Sequence, residues 1–121
     1  MVDATSTGEL RVTVKEAKLN RDVATFSKMD PYVVLKVGKN AQKTKTHEDG
    51  DKNPKWNEEF KLPSNDPTEI LEVKLMDSNA CLTDEDVGRC QIKLSQLMHS
   101  GGITEWFVLL WKNKKAGEVL L

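Results

Sequence analysis

From residue 8 the chain alternates between apolar and polar positions. Leu10, Val12 and Val14 fall on one side, and Arg11, Thr13 and Lys15 on the other, which is the period of a half-buried strand. The alternation stops over residues 17–29, where Asn20, Arg21, Asp22, Ser27 and Lys28 predict a long loop with Phe26 as its apolar exception. A second strand over 32–37 opens at Asp30-Pro31, since proline suits the first residue of a strand, where a missing N–H costs least. Gly38-Lys39-Asn40 ends it with a hairpin signal. The third strand, 42–46, puts Lys43 and Lys45 on one face and Thr44 and Thr46 on the other. Turn residues fill 48–54 before Trp56, Glu58, Phe60 and Leu62 alternate with Asn57, Glu59 and Lys61 as a fourth strand. Beyond a loop at 63–67, the fifth strand covers 70–76 with Leu71, Val73 and Leu75 inward. Cys90, Ile92 and Leu94 mark the sixth, and residues 95–98 make one helical turn before Gly101-Gly102. The seventh covers 106–111 and the eighth 117–121.

No long helical period appears anywhere. Eight short strands between turn signals predict an all-β, eight-stranded antiparallel β-sandwich with its loops gathered at two ends. Residues 1–7 read as a disordered polar lead, and 8–121 as a single domain. Two loops stand out: one ends at Asp30, and the other runs from Asp77 to Asp86. If the fold brings them together, they form one oxygen-rich site.

Composition narrows the function classes. The 121 residues are 38% hydrophobic and 31% charged, enough for one small core. Eighteen Lys and Arg against nineteen Asp and Glu give a formal charge of −1, so whole-protein charge predicts no attraction to nucleic acid or membrane and any steering comes from local patches; nucleic acid is not an expected partner. Cys81 and Cys90 lack metal-ligand spacing; one disulfide is open to them, but a reduced cytoplasmic protein is the better reading. His47 and His99 stand alone, which argues against zinc. There is no membrane-length apolar run and no basic apolar leader.

Four motifs occur in one order: Asp30-Pro31-Tyr32 opening a strand; Lys43-Thr44-Lys45-Thr46; Asn53-Pro54-Lys55-Trp56-Asn57-Glu58-Glu59-Phe60; and Leu71-Glu72-Val73-Lys74-Leu75-Met76-Asp77 leading to Val87-Gly88. From residue 8 to 121 the chain resembles a C2 domain, the β-sandwich that docks on phospholipid, often through calcium. Starting at Gly8-Glu9-Leu10 and ending at Gly117-Glu118-Val119 looks like the type II strand order, and the loops look most like those of small, free-standing plant and protist C2 proteins.

The resemblance implies a calcium site. Calcium takes six to eight oxygens in a flexible cage. The ligand set it implies is Asp22, Asp30, Asp77, Asn79 and Glu85. Several of these depart from the family pattern. The usual first-loop acid falls at Ala24, and Asp22 lies two residues too early. Asn79 is a neutral ligand, and Glu85, flanked by Asp84 and Asp86 as substitutes, is one methylene long. The expectation is one or two calcium ions at most, bound weakly without lipid, with calcium independence as the alternative. Each acid taken singly reads better as an ordinary loop former than as a ligand, and it is the set on two loops that favours a site. Leu82 and Phe26 would either dip into the membrane interface or fold back on the core.

A second implied contact is basic. Lys36, Lys43 and Lys45 share one face and resemble the lysine cluster with which conventional protein kinase C C2 domains bind phosphoinositide headgroups. Val34 takes the fourth position, and Tyr32 the place of a headgroup-contacting aromatic. Trp56 and Phe60 match core positions, while Trp106 and Trp111 read as core or rim. Ser95 has no base partner, so no catalysis is expected and a metal-dependent lipid hydrolase lacks its machinery. The expectation is a cytoplasmic, peripheral membrane module with anionic phospholipid as partner. The alternative is a calcium-independent protein-interaction C2 domain.

Overall fold

The computed structural model describes residues 1–4, 8–24, 27–64, 66, 68–79, 82–97 and 102–121, with the backbone alone at 3 and 4. Its strands are β1 (Val2–Ala4), β2 (Glu9–Leu19), β3 (Pro31–Val37), β4 (Asn40–Lys43), β5 (Lys55–Pro63), β6 (Ile70–Asp77), β7 (Glu85–Lys93), β8 (Trp106–Trp111) and β9 (Lys114–Leu120). A single 3-10 turn, Leu94–Gln96, follows β7 where the sequence predicts one helical turn. Every pairing between named strands is antiparallel, in the order β1-β2-β9-β8-β7-β6-β3-β4, with β5 on the other edge of β2. Only one residue pair, Arg89 with Leu110, joins β7 to β8. The path therefore folds into two layers closed along that seam, β4-β3-β6-β7 and β5-β2-β9-β8.

The inward positions of both layers meet in one core. Leu10, Val12, Val14, Val33, Leu35, Leu71, Val73, Leu75, Leu62, Leu109 and Val119 are fully buried. Burying side chains of this size contributes about 1.5–3 kcal/mol each. Trp56 and Phe60 pack against the core from the inward side of β5, and the Trp56 indole N–H donates to the Pro31 carbonyl at 3.2 Å.

Three boundaries differ from the sequence reading, each for a local reason. β2 runs on through Leu19. Its buried phase slips between Val14 and Ala17, where the β2–β5 register shifts, and that slip is what breaks the visible alternation. The extra residue lies on β5, where Asn57 takes a left-handed φ of 52°. The expected lead contributes a strand: Val2 is fully buried, pairs with Val12 and bridges to Ile103. Residues 5–7 of that lead lie outside the described residues. In β4 only residues through Lys43 are in the strand, because Thr44 turns inward: its hydroxyl accepts the Val33 N–H at 2.9 Å and donates to the Lys45 carbonyl at 2.8 Å.

The topology sets the functional end. β2, β4, β6 and β8 all finish at the same end, so the described residues of the connections 20–30, 44–54 and 78–84 and the two-residue turn 112–113 lie together there.

Candidate functional site

Proline at the start of β3 pairs with the last residue of β6, Asp77, and leaves Asp30 just outside the sheet, one residue before that pair. The two are locked together: the Asp30 backbone N–H donates to Asp77 Oδ1 at 2.8 Å, and Ser78 N–H donates to the Asp30 carbonyl at 2.9 Å. The 44–54 loop closes over them. Asp49 N–H donates to Asp30 Oδ1 at 2.8 Å, and Asp51 N–H to the Met29 carbonyl at 3.0 Å. Asp49 and Asp51 both hold left-handed φ values, 58° and 51°, which Asp tolerates better than most residues.

Asp77 is the electrostatic centre. It is only 7% exposed, and burial first, then the charges of Asp30, Glu85 and Asp22, push its carboxyl above the usual range against the pull of the Asp30 N–H. Three of the other expected ligands, Asp30, Glu85 and Asp22, thus lie close enough for their charges to act on Asp77. Glu85 faces Asp77 across the β6–β7 register and is exposed. Asp22 is exposed, its Oδ1 capped by the Ala24 N–H at 2.9 Å, while Ala24 itself packs against the core. Asn79 is held through its backbone, which donates to Asp84 Oδ1 at 2.9 Å.

Among the described residues, no three His, Cys, Asp or Glu side chains are drawn together tightly enough to hold a metal ion. Coulombic coupling reaches further than a coordination bond, so both findings stand. The donor set is hard oxygen, as calcium requires, and the raised Asp77 marks a negative potential that a cation would relieve. The two substitute acids are engaged elsewhere. The Tyr32 hydroxyl donates to Asp84 Oδ2 at 2.6 Å, holding Asp84 below its ordinary range, while burial and that bond push Tyr32 up to about 12. Asp86 is bonded to Arg89.

The outward face of β3 and β4 carries the basic residues. Lys36, Lys43 and Lys45 are exposed, and the Lys43 ammonium lies 5.8 Å from the Tyr32 ring centroid. Cross-strand register adds two residues that sequence spacing does not bring together. Lys43 pairs with Val34, Val34 with Lys74, and Lys74 with Arg89, which sets Lys43, Lys74 and Arg89 in one row across the sheet. Lys74 and Arg89 alternate outward on their own strands, but only the pairing order places them beside the lysines. Lys36 lies one pair further along, opposite Glu72.

Cys90 is a free thiol that burial pushes up to about 12, an inert side chain; Cys81 lies outside the described residues. The imidazole of His47 accepts the Lys55 N–H at 2.9 Å, organising a turn. His99 and Phe26 lie outside the described residues. Leu82 is 73% exposed rather than folded onto the core. Trp106 and Trp111 occupy the rim, each under a cation: Lys18 at 4.8 Å and Arg21 at 4.3 Å.

The C2 domain family model matches residues 8–109. This chain belongs to the C2 domain family. In fold, this C2 domain superposes on a C2 domain of plant Extended Synaptotagmin 1 with a TM-score of 0.83 and 25% identity, covering 97% of this chain and 92% of that one. It is likewise similar to the calcium-bound tandem C2 domains of Extended-Synaptotagmin 2, with a TM-score of 0.81, 25% identity and coverage of 96% and 44%. Among sequences, it is 33% identical over 91 residues to Protein C2-DOMAIN ABA-RELATED 11 of Arabidopsis thaliana, covering 75% of this chain. The C2 chain spans about half, 54%, of that relative's length. No helix among the described residues is long and apolar enough to cross a membrane.

Proposed function

We propose that this C2 domain is a non-catalytic module that docks on anionic phospholipid membranes, assisted by calcium at its acidic end. The observation that carries the reading is the raised carboxyl of Asp77, hemmed in by Asp30, Glu85 and Asp22 on converging loops. Asp22, Asp30, Asp77, Asn79 and Glu85 would hold one or two ions weakly, the carboxylates through side-chain oxygens. Bound calcium supplies positive charge and open coordination positions for a lipid phosphate or carboxylate. The chain's own part is to hold Asp30 and Asp77 in register, with Leu82 exposed to the interface. Lys36, Lys43 and Lys45, with Tyr32, would contact the phosphoinositide headgroup. Each cation near an anionic leaflet contributes about 1 kcal/mol, so this face gives marginal, salt-sensitive binding alone.

The test is co-sedimentation with anionic liposomes, once in calcium and once in chelator. Binding only in calcium supports an assembled acidic site. Equal binding in both moves the mechanism to the lysine face, and absence of binding in both rejects membrane docking.

One observation favours a second reading, a calcium-independent protein-interaction module. The outward residues of β8, Trp106, Val108 and Leu110, are exposed apolar side chains on one strand face, at 37%, 46% and 44%. A partner protein captured by the intact β8 face and lost on Val108→Glu would support it.

A further inference from the structure

The row of cations on the lysine face does not stop at β7. Arg89 pairs with Leu110 across the seam, and Leu110 pairs with Lys115, so one register line runs Lys43–Val34–Lys74–Arg89–Leu110–Lys115 over six strands. It ends at the β8–β9 turn, where the structure holds a shelf that none of the roles above uses.

The shelf is built around Trp111. A concavity of about 330 Å³ on one side of it is lined by Arg21, Trp111, Lys112, Lys114, Lys115 and Ala116. Another of about 510 Å³, bordered by Arg89, Leu110 and Asn113, shares the same indole. Two of these cations are already paired, Lys115 with Glu118 at 2.7 Å and Arg89 with Asp86. Lys112 and Lys114 are exposed and have no acid partner among the described residues.

Arg21 is the central group. Its guanidinium carbon lies 4.3 Å from the Trp111 ring centroid, and one terminal nitrogen donates to the Asp86 carbonyl at 3.4 Å. Its Nε is buried and has no partner. That atom is closed off from solvent, so what the shelf offers an anion is the guanidinium charge beside Trp111 together with the exposed ammonium groups of Lys112 and Lys114; phosphate oxygens are the acceptors that suit such a cluster. The competing acceptor is the neighbouring orphan, Asp86 Oδ1.

The turn itself is strained toward this arrangement. Lys112 and Asn113 both have left-handed φ, 49° and 65°, the pattern of a type I′ hairpin, in which Asn-Gly is the cheap choice. Placing a lysine at the first position carries a backbone penalty and sets its ammonium beside Trp111, 5.5 Å from the ring centroid. Trp111, Arg21 and the lysines combine the parts of an amphipathic interface contact: an aromatic with cations around it.

We propose that this shelf is a second seat for the phosphate monoester of an anionic membrane lipid, held by Arg21, Lys112 and Lys114 beside Trp111, separate from the lysine face and independent of calcium. The proposal rests on the membrane-docking reading, and the two are separable by experiment. The intact chain is sedimented in chelator with phosphatidylcholine vesicles containing phosphatidylinositol 4,5-bisphosphate, beside Lys112→Ala/Lys114→Ala and, in parallel, Lys43→Ala/Lys45→Ala. Both variants change exposed side chains and leave the core intact.

Each removed cation should weaken binding about fivefold, so the Lys112/Lys114 variant should lose about 25-fold. Binding equal to the wild type in that variant overturns the seat. The second readout is the Nε–H resonance of Arg21 and the indole N–H of Trp111 during titration with soluble inositol 1,4,5-trisphosphate. Movement of both supports the seat, and movement confined to the Tyr32 and Lys43 region overturns it. If the wild type binds no vesicle at all, docking fails as a reading. Shifts at Arg21 would then overturn the lipid source and leave a soluble-phosphate site, and their absence would remove the site altogether.

Discussion

Replacing Asp77 by Asn tests the acidic end at its most buried point. The amide keeps an oxygen to accept the Asp30 N–H and removes only the charge. In the folded protein burial and the carboxylates of Asp30, Glu85 and Asp22 raise the Asp77 pKa, so its charged form is the disfavoured one. The sign follows directly. A raised carboxyl gains folding stability as pH falls through its folded value, and at neutral pH the full penalty is present. Asp77→Asn should therefore stabilise the metal-free protein at pH 7. The burial penalty, with the repulsion of the neighbouring carboxylates added to it and partly offset by the Asp30 N–H, is worth about 0.5–1 kcal/mol. For a chain of this size that raises Tm by about 2–5 °C. Calcium reverses the comparison. At a hundredfold excess over Kd, a ligand adds about 2.7 kcal/mol to the stability of the protein that binds it, roughly 10 °C. The wild type should show that rise, and Asp77→Asn should show less than half of it. The assay is a pair of thermal melts, in chelator and across a calcium titration. A variant that melts lower in chelator and keeps the full calcium shift would refute both the repulsion and the ligand role.

The remaining predictions probe the supports and the basic face. Tyr32→Phe removes the donor that holds Asp84 low, so stability that is present above the unfolded pKa of Asp84 and lost as pH falls through its folded pKa should disappear. The expected loss is about 0.5–1 kcal/mol at pH 7, discounted for solvent around Asp84, and the melts of variant and wild type should converge in acid. Thr44→Val strands the buried Val33 N–H and should cost about 1–3 kcal/mol by urea titration, with an unchanged m value. Adding Lys74→Ala to Lys43→Ala/Lys45→Ala should weaken phosphoinositide vesicle binding about fivefold further; no further loss would mean the cross-strand row carries no headgroup contact.

Strands with one buried face were legible because their side-chain period is two. Leu10, Val12 and Val14, or Leu71, Val73 and Leu75, announce themselves, and Trp106–Trp111 has the ends the sequence predicts. What escaped were features set by pairing rather than by period. The buried phase of β2 slips between Val14 and Ala17, where its register with β5 shifts, so β2 looks finished before it is. Val2 stands in a run too short to show a period, Met1-Val2-Asp3-Ala4, and its partners Val12 and Ile103 are what give it a strand. At the site, Asp30 and Asp77 could be read from Pro31 and from the end of an apolar run. The backbone role of Asp49 could not, since Glu48-Asp49-Gly50 reads as an ordinary turn. Lys74 and Arg89 join Lys43 only through register, which no single strand encodes.

Acid and base are not segregated on this molecule; they interlock. Asp84 is tied to Tyr32 beside Lys43, Asp86 to Arg89 in the cation row, and Arg21 is the neighbour of Asp22. With a formal charge of −1, the acidic loops largely cancel the row next to them for any membrane approaching that end. A cation bound among Asp30, Asp77 and Glu85 would remove the cancelling charges while leaving every lysine in place, so the surface would become attractive without a change of fold. This charge balance fixes an ionic-strength signature. The Debye length is about 10 Å at 0.1 M salt, so lowering salt should strengthen vesicle binding in calcium. In chelator the acids repel over the same range, and lowering salt should strengthen binding far less. Parallel salt dependences in the two conditions would mean that the acidic loops and the basic row act on the membrane independently.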